Sequence, residues 1–591
     1  MVKERINKLI DLMEKNNIDA YIIPSADYHQ SEYVADYFKS REFISGFSGS
    51  AGTVCILKDG NHGLWTDGRY FLQAEKELKG SGIKLFKMGM PDVKKYDEWL
   101  IQNLDKNSTI GLDGKVFCAK KVKSLIKKAK VKNINIDSSK DLIDKVWEDR
   151  PIIPNKKVIH HNIKYSGKST HSKLTDIKLK MEKLSVDKYI LTSLDDIAWT
   201  FNLRGNDIEY NPVFLAYAII DKENAVLYID ENKLDADLKD RLKESDIILK
   251  DYFKIYEDVK EIKDSNILLS EDRVNYSIYS SLDESNEIIS KRDITTDLKA
   301  IKNQIEQDNM SNCFVRDGVA MVKFLKWLEE NIDSEEITEI TAQQKLSKFR
   351  SKQDFYKDDS FGSISGYQEN GAIIHYSAKK ETCATLKPKG LYLIDSGGQY
   401  LDGTTDITRT IALGNLTKEQ IRDYTLVLKG HINLSSIEFV EGTYGSNLDV
   451  LARKPLWDYG FDYKHGTGHG VGYFLNVHEG PQRIAKKPSN ILLKPGMVLS
   501  NEPGLYRKDE YGIRLENLVI IKKTKETEFG QFMTFKDLTL CPFDLKAINI
   551  DLLDKSDIKW INEYHKRVYD ELSPYLQNDE KEWLKNKTKS I

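Results

Sequence analysis

The sequence predicts a mixed α/β chain, α+β in its last part, built as three domains of which two are copies of one plan. Three observations carry this. Met13-Glu-Lys-Asn-Asn-Ile-Asp19-Ala-Tyr21-Ile-Ile-Pro-Ser25 returns as Met181-Glu-Lys-Leu-Ser-Val-Asp187-Lys-Tyr189-Ile-Leu-Thr-Ser193, at a constant offset of 168 residues. Two copies are too few for a solenoid, so a duplicated domain is the reading. Helical and strand-like runs alternate within each copy. The remaining part holds two strand pairs, each setting two acids face to face.

At 591 residues the chain exceeds what one core supports. A composition of 40% hydrophobic and 31% charged residues is that of a globular protein. The balance of 89 Lys+Arg against 92 Asp+Glu gives a net charge of −3, with no basic excess to draw nucleic acid. Cys55, Cys118, Cys313, Cys383 and Cys541 are scattered, without CxxC spacing, and read as reduced thiols in the cytoplasm. The first fifteen residues form an amphipathic helix without a secretory core. No run of 18 apolar residues predicts a membrane span.

In chain order, residues 3–15 read as a helix and 20–24 as a buried strand. The run 53–57 turns through Lys58-Asp-Gly60 into 63–66, and Asp67-Gly-Arg69-Tyr70-Phe71 leads into another helix. This is an α/β unit of roughly 140 residues, an ordinary domain size. The copy follows, joined near Asp149-Arg-Pro-Ile-Ile-Pro154, with strands at 215–220 and 225–229. The expected domains are 1–148, 149–300 and 301–591. The third opens with helices over 304–330 and 337–350. Helical stretches recur at 416–441, 446–456 and 558–590. In the last of these Trp560, Tyr564, Val568, Tyr569, Leu572 and Trp583 offer an apolar face that caps the domain or serves a dimer.

The chemistry concentrates in the third domain. The run 391–394 ends in Asp395, and 404–411 is rich in β-branched residues and carries Asp406. Both acids are equidistant from the midpoint between Tyr400 and Leu401, so a hairpin centred there opposes them. Like charges facing across a sheet destabilise it, and a cation between them removes that cost. Strands at 497–502 and 512–521 carry Glu502 and Glu516, symmetric about Asp509. Between the hairpins lies His465-Gly-Thr-Gly-His469-Gly-Val-Gly, then His478. Four carboxylates and His469 suit two divalent ions such as Mn²⁺, Co²⁺ or Zn²⁺. A lone Asp at a strand end is ordinarily a turn-former; two facing pairs around a histidine strand are not.

Alternating Gly466, Gly468, Gly470 and Gly472 fit neither GxGxxG nor GxxxxGK[ST]. They leave one strand face bare, so that another backbone or a ligand can approach closely. His465 alone reads equally as a core histidine. His478, and His375 at the end of an apolar strand in GAIIHY, are each structural when taken singly. Beside a dimetal site, neutral imidazoles hold a substrate carbonyl or move a proton. Arg514 lies two residues before Glu516, on the same strand face, and reads either as a surface arginine or as one orienting a metal-bound carboxylate. No GxSxG elbow or nucleophilic cysteine is evident. Two ions that acidify a shared water to hydroxide and polarise a carbonyl make metal-assisted hydrolysis the reaction class.

Asp395, Asp406, His469, Glu502 and Glu516 match, in order and context, the five metal ligands of the pita-bread metallopeptidases. The segments GAIIHY, DSGGQYLDGTTDITRT, HGTGHGVGYFLNVHEGP, NEPGLY and GIRLEN resemble the three-domain cytosolic Xaa-Pro aminopeptidases (aminopeptidase P) of that family. So do YIIPSADYHQSEY, GFSGSAGT, WTDGRYFLQA, DDIAWTFNLRG and PFDLKAINIDLLDK along the rest of the chain. The resemblance implies two creatinase-like domains and a pita-bread catalytic domain. It implies Mn²⁺-dependent removal of the first residue from peptides with proline second, and a homodimer through the catalytic domain. It gives Asp395 to one ion, His469 and Glu502 to the other, and Asp406 and Glu516 to both. His375, His465 and His478 match substrate-handling histidines, with His375 and His478 in catalysis. Arg69 matches an arginine that reaches the peptide; by itself it reads as a surface residue at a helix start. Two departures fall near the substrate pocket: Leu505 stands where an aromatic is common, and the lead-in 365–370 is bulky and polar. The alternatives are a prolidase, disfavoured by the duplicated domain, and a non-catalytic peptide-binding relative, disfavoured by the complete ligand set.

Overall fold

The structure, a computed structural model, describes residues 2–591, the Leu72 side chain excepted. The chain forms two compact units. The first comprises Met1–His160, Lys168–Glu209 and Val213–Thr295, and the second His161–Gly167, Tyr210–Pro212 and Thr296–Ile591.

The first unit contains two six-stranded sheets of one topology. In one the order is Ile83–Lys87, His62–Thr66, Thr53–Leu57, Ala20–Pro24, Thr109–Leu112, Asn135–Asp137. In the other it is Ile247–Lys250, Ala225–Tyr228, Tyr217–Asp221, Lys188–Leu191, Asn266–Leu269, Glu287–Ser290. Each centres on the strand within the repeated segment, paired antiparallel on one side and parallel on the other. The repeat extends to the helix before it. Ile6, Leu9 and Met13 are the buried stripe of Val2–Lys15, and Leu174, Ile177 and Met181, each 168 residues on, lie in the buried stripe of Thr170–Lys183. The α/β duplication expected from the sequence is therefore present in fold as well as in wording.

In the second unit the helix Gln304–Asn331 starts at a capping box of Asn303 and Glu306, and the helix Glu339–Arg350 starts at Thr338. Leu391–Ser396 lies between Ile364–Tyr367 and Ile407–Ala412 in one small sheet. A six-stranded sheet runs Glu438–Val440, Gly530–Asp537, Asn517–Thr527, Val498–Asn501, Gly468–Gly470, Glu479–Ile484. The helix Lys555–Leu572 buries Ile561, Tyr564, Val568 and Leu572, at helical spacing, in a large hydrophobic core of the unit. Trp560, Tyr569 and Trp583 pack partly buried against the same core, so this apolar face caps the unit. The expected helix over 416–441 ends earlier, at Ser435, and Glu438–Val440 joins the sheet.

The four cysteines Cys55, Cys118, Cys313 and Cys541 are buried thiols, and Cys383 is a half-buried one. No described helix is long and apolar enough to cross a membrane.

Candidate metal centre

The second hairpin has the expected register. Val498–Asn501 pairs with the start of Asn517–Thr527, and Gly504–Arg507 pairs with Tyr511–Arg514, both symmetric about Asp509. The expected continuous strand 512–521 breaks between these ladders, and Glu502 and Glu516 lie at the break, symmetric about Asp509 but outside both ladders.

The first hairpin departs from expectation. Its centre lies between Leu401 and Asp402, since Tyr400 pairs with Gly403 and Asp395 with Thr408. Asp406 is thus one diagonal step from Asp395 and not opposite it; both still share a sheet face, because side chains alternate with period two. The register is set by the tight turn at Leu401-Asp402, since the pairs on both sides of Gly397 share one centre; at Gly397 itself the strands pinch, and a Cβ there would stand 1.9 Å from Thr405 O.

His469 comes from the three-residue strand Gly468–Gly470. Here the bare face has its expected use: a Cβ on Gly468 would meet Ser500 O at 1.9 Å, and one on Gly470 would meet Glu479 O at 2.1 Å. The backbone packing brings His469 Nε2 to 3.5 Å from Asp406 Oδ2 and 3.6 Å from Glu502 Oε1. Donor atoms of Asp406, His469 and Glu516 lie within 4.8 Å of one another. His469 Nδ1, 2.9 Å from Gly470 O, donates its proton there and leaves Nε2 for the acids.

Asp395 is held from behind. Arg514 Nη2 donates to its Oδ2 at 2.7 Å, while its Oδ1 is buried and accepts no hydrogen bond. Arg514 also donates to Thr408 Oγ1 and to the Tyr506 hydroxyl, and Thr408 Oγ1 donates to Glu516 Oε2 at 2.8 Å. Thr408, Tyr506 and Ser500, which donates to Glu502 Oε1, were not singled out by the sequence. Thr408 and Ser500 each lie two residues from an acid, on its strand face, and that spacing was the available signal.

Burial pushes the Asp395 carboxyl up despite Arg514, and pushes Glu516 well above the carboxylate range with Asp406, Glu502 and Asp395 adding to it. Glu502 and His469 keep 19% and 24% of their side-chain surface exposed. Desolvation with Asp406 and Asp395 nevertheless raises Glu502 to about 7, against the opposing pull of His469 and Arg514. Burial by itself would lower His469; Asp406 and Glu502 raise it to about 9. The cluster thus holds more negative charge than Arg514 offsets. That excess, the orphaned Asp395 Oδ1 and a set of four carboxylates with one imidazole fit hard or borderline divalent cations.

Of the other expected residues, His478 is exposed with its ring 4.4 Å from that of His469. His465 Nδ1 donates to Gly466 O, and its Nε2 accepts from the Tyr506 hydroxyl at 2.8 Å. Desolvation, Arg514 and His375 hold His465 down to about 3. His375 is exposed, but not at a strand end: Gln368–Ala372 is a 3₁₀ turn and His375 follows in a loop. The apolar run in GAIIHY is too short a signal to tell turn from strand. Arg69 lies in the other unit, in the turn before Phe71–Glu77, paired with Asp67 at 2.7 Å.

Fold and donor set together define a metal-dependent hydrolase. Residues 5–146 and 149–306 each match a family model described as the Creatinase/Prolidase N-terminal domain. Residues 308–523 match Metallopeptidase family M24, and 531–591 match the C-terminal region of that peptidase. Over its full length the chain is 42% identical to a probable Xaa-Pro aminopeptidase P of Coprinopsis cinerea, covering 98% of that protein. It is 42% identical to a protein of the same name from Laccaria bicolor, over 98% of this chain and 92% of the relative. The crystal structure of an X-prolyl aminopeptidase from Caenorhabditis elegans, described as a cytosolic enzyme with a di-nuclear active site, matches with TM-score 0.94 and 36% identity over all of both chains. A Xaa-Pro dipeptidase from Bacillus anthracis shares the fold over 64% of this chain and 99% of its own, at 23% identity and TM-score 0.51. The chain belongs to metallopeptidase family M24.

Proposed function

We infer that this protein is a metalloaminopeptidase that hydrolyses the bond between the first residue of a peptide and a proline in second place. The observation that carries this reading is the convergence of Asp406, His469 and Glu516, with Asp395 and Glu502 around them, in a chain alike over its whole length to Xaa-Pro aminopeptidases. Asp395 would hold one divalent ion, His469 and Glu502 the other, and Asp406 and Glu516 would lie between them. When bound, such ions acidify water and polarise a carbonyl. Mn²⁺ is the first candidate for this oxygen-rich set, with Co²⁺ and Zn²⁺ behind it.

The chain's own groups do the rest. Arg514 fixes one Asp395 oxygen, so the carboxylate presents the other. Thr408 orients Glu516 in the same way. By this reading His478, whose ring lies 4.4 Å from that of His469, would meet the scissile carbonyl, and the exposed His375 would hold the proline side. His465 has its Nδ1 proton on Gly466 O and its Nε2 lone pair on Tyr506, so it stays neutral and lines the pocket without carrying charge. By the resemblance, Arg69 would reach the peptide substrate. Division at 1–148, 149–300 and 301–591, a cytoplasmic location and a homodimer go with this reading.

Metal analysis of the purified protein, paired with assays before and after chelation, tests it. Two ions per chain and chelator-sensitive release of Arg from Arg-Pro-Pro are expected. Preference for the dipeptide Ala-Pro over that tripeptide would make the protein a prolidase instead. Full activity without metal would end both readings.

A further inference from the structure

We propose that Glu339 is a positioning residue for the reaction, acting through His375. Between Ala372 and Leu391 no helix or strand forms, so the loop that displays His375 lacks a ladder to hold it. One buried carboxylate ties several of its parts together. Glu339 is the first residue of the helix Glu339–Arg350 and is fully buried. Its Oε1 accepts from Tyr367 N at 2.7 Å and Asn370 Nδ2 at 3.0 Å. Its Oε2 accepts from the Tyr376 hydroxyl and Ala384 N, both at 2.8 Å. The main chain of the same residue accepts from Ser365 Oγ and pairs Glu339 N with Ala384 O.

These partners come from both ends of the 365–384 segment and from Tyr376, the neighbour of His375. No cationic side chain is among them. A buried carboxylate that accepts from neutral donors on one loop, at a helix start where negative charge is favoured, acts as a hub for that loop. His375 itself is exposed, and its neighbour Tyr376 carries the hydrogen bond to Glu339. The effect on chemistry follows from geometry: a substrate-holding group displaced by about 1 Å forfeits up to about a hundredfold in rate.

The idea rests on the aminopeptidase reading of the site, and the test separates the two. Glu339→Gln keeps the volume, but whichever oxygen becomes NH₂, one main-chain N–H, of Tyr367 or Ala384, loses its acceptor. Hydrogen exchange on metal-free protein should show amides of residues 367–386 opening about tenfold faster in Glu339→Gln, as expected for one lost buried hydrogen bond, with the rest unchanged. Activity on Arg-Pro-Pro should fall about tenfold in kcat/KM, at unchanged metal content, and the loss should vanish when the same change is made in a His375→Ala background. Tyr376→Phe, which removes one donor only, should move both readouts the same way but less, and stands in if Glu339→Gln fails to fold. Unchanged exchange, or losses that multiply fully in the double variant, would overturn the proposal. A His375→Ala enzyme with undiminished turnover would also overturn it; the exchange data would then place the failure in the role of His375 and not in the anchor.

Discussion

Two kinds of buried charge cluster in the second unit look alike in composition and differ in balance. In one, Asp317 receives Arg350 Nε at 2.8 Å and Nη2 at 3.2 Å, plus the Tyr400 hydroxyl at 2.9 Å. Nearby in kind, Glu479 receives Lys302 at 2.8 Å and Lys299 at 3.1 Å. In the other cluster Asp395, Asp406, Glu502 and Glu516 share one guanidinium, Arg514, and one imidazole. A matched acid is a strut: desolvation and Coulomb attraction cancel, and removing one partner strands the other. An unmatched group of acids is a seat for cations, kept at a cost to the metal-free fold. Burial is common to both clusters, so what separates them is the missing positive charge.

Breaking the strut should give the largest stability effect. Asp317→Ala leaves Arg350 buried and unpaired and is expected to cost about 3–5 kcal/mol in urea unfolding, while metal stoichiometry stays at its wild-type value. A change in metal content there would erase the contrast. Asp406→Asn should do the reverse. It should lower kcat/KM on Arg-Pro-Pro by about a hundred- to a thousandfold, yet leave the metal-free thermal midpoint close to wild type, because relief of its repulsion with Glu516 and Glu502 offsets the loss of its bond to His469. A lowered midpoint by calorimetry would mean that Asp406 is itself a strut. Arg514→Lys sharpens the comparison at their junction. It keeps the charge, loses the fork on Asp395, Thr408 and Tyr506, and should weaken metal binding about 10- to 100-fold in a competition titration.

The smallest effect lies at the surface. Burial would raise Glu329, but hydrogen bonds from Lys587, Lys546 and Trp583 hold it down to about 2 from a reference of 4.5. A depressed folded-state pKa contributes stability that is complete above pH 4.5 and is lost as pH falls toward 2. Glu329 is 38% exposed, so solvent screens this contribution to below about 1 kcal/mol. The acid limb of a wild-type pH–stability curve should therefore shift only slightly in Glu329→Gln.

The sequence exposed these features unevenly, for physical reasons. The duplicated fold was legible because the buried stripe and central strand repeat with their spacing intact. The Glu502–Glu516 register was legible because Lys508-Asp509-Glu510 forms the whole turn, with Asp509 at φ +61° as its midpoint. The Asp395–Asp406 register was off by one diagonal step. Symmetric spacing of two acids does not fix the centre of a hairpin, and the two-residue turn at Leu401-Asp402 that does fix it has no mark in the hydrophobic pattern. Arg514 was found by its period-two relation to Glu516, but its partner is Asp395, on another strand. Glu339 had no signal at all, since its donors are mainly backbone N–H groups and neutral side chains scattered over 365–384.

The hydrogen-only flanks of His469 set a limit on what this centre can become. With Ser500 O and Glu479 O standing where any added methyl would go, Gly468 and Gly470 cannot drift even to alanine without pushing the nitrogen donor off its acids. Gly466, whose Cβ would find only 3.5 Å contacts, has no such constraint. Attempts to retune the metal preference by random change therefore have two closed doors beside the imidazole, and their productive variation must enter from the carboxylate strands.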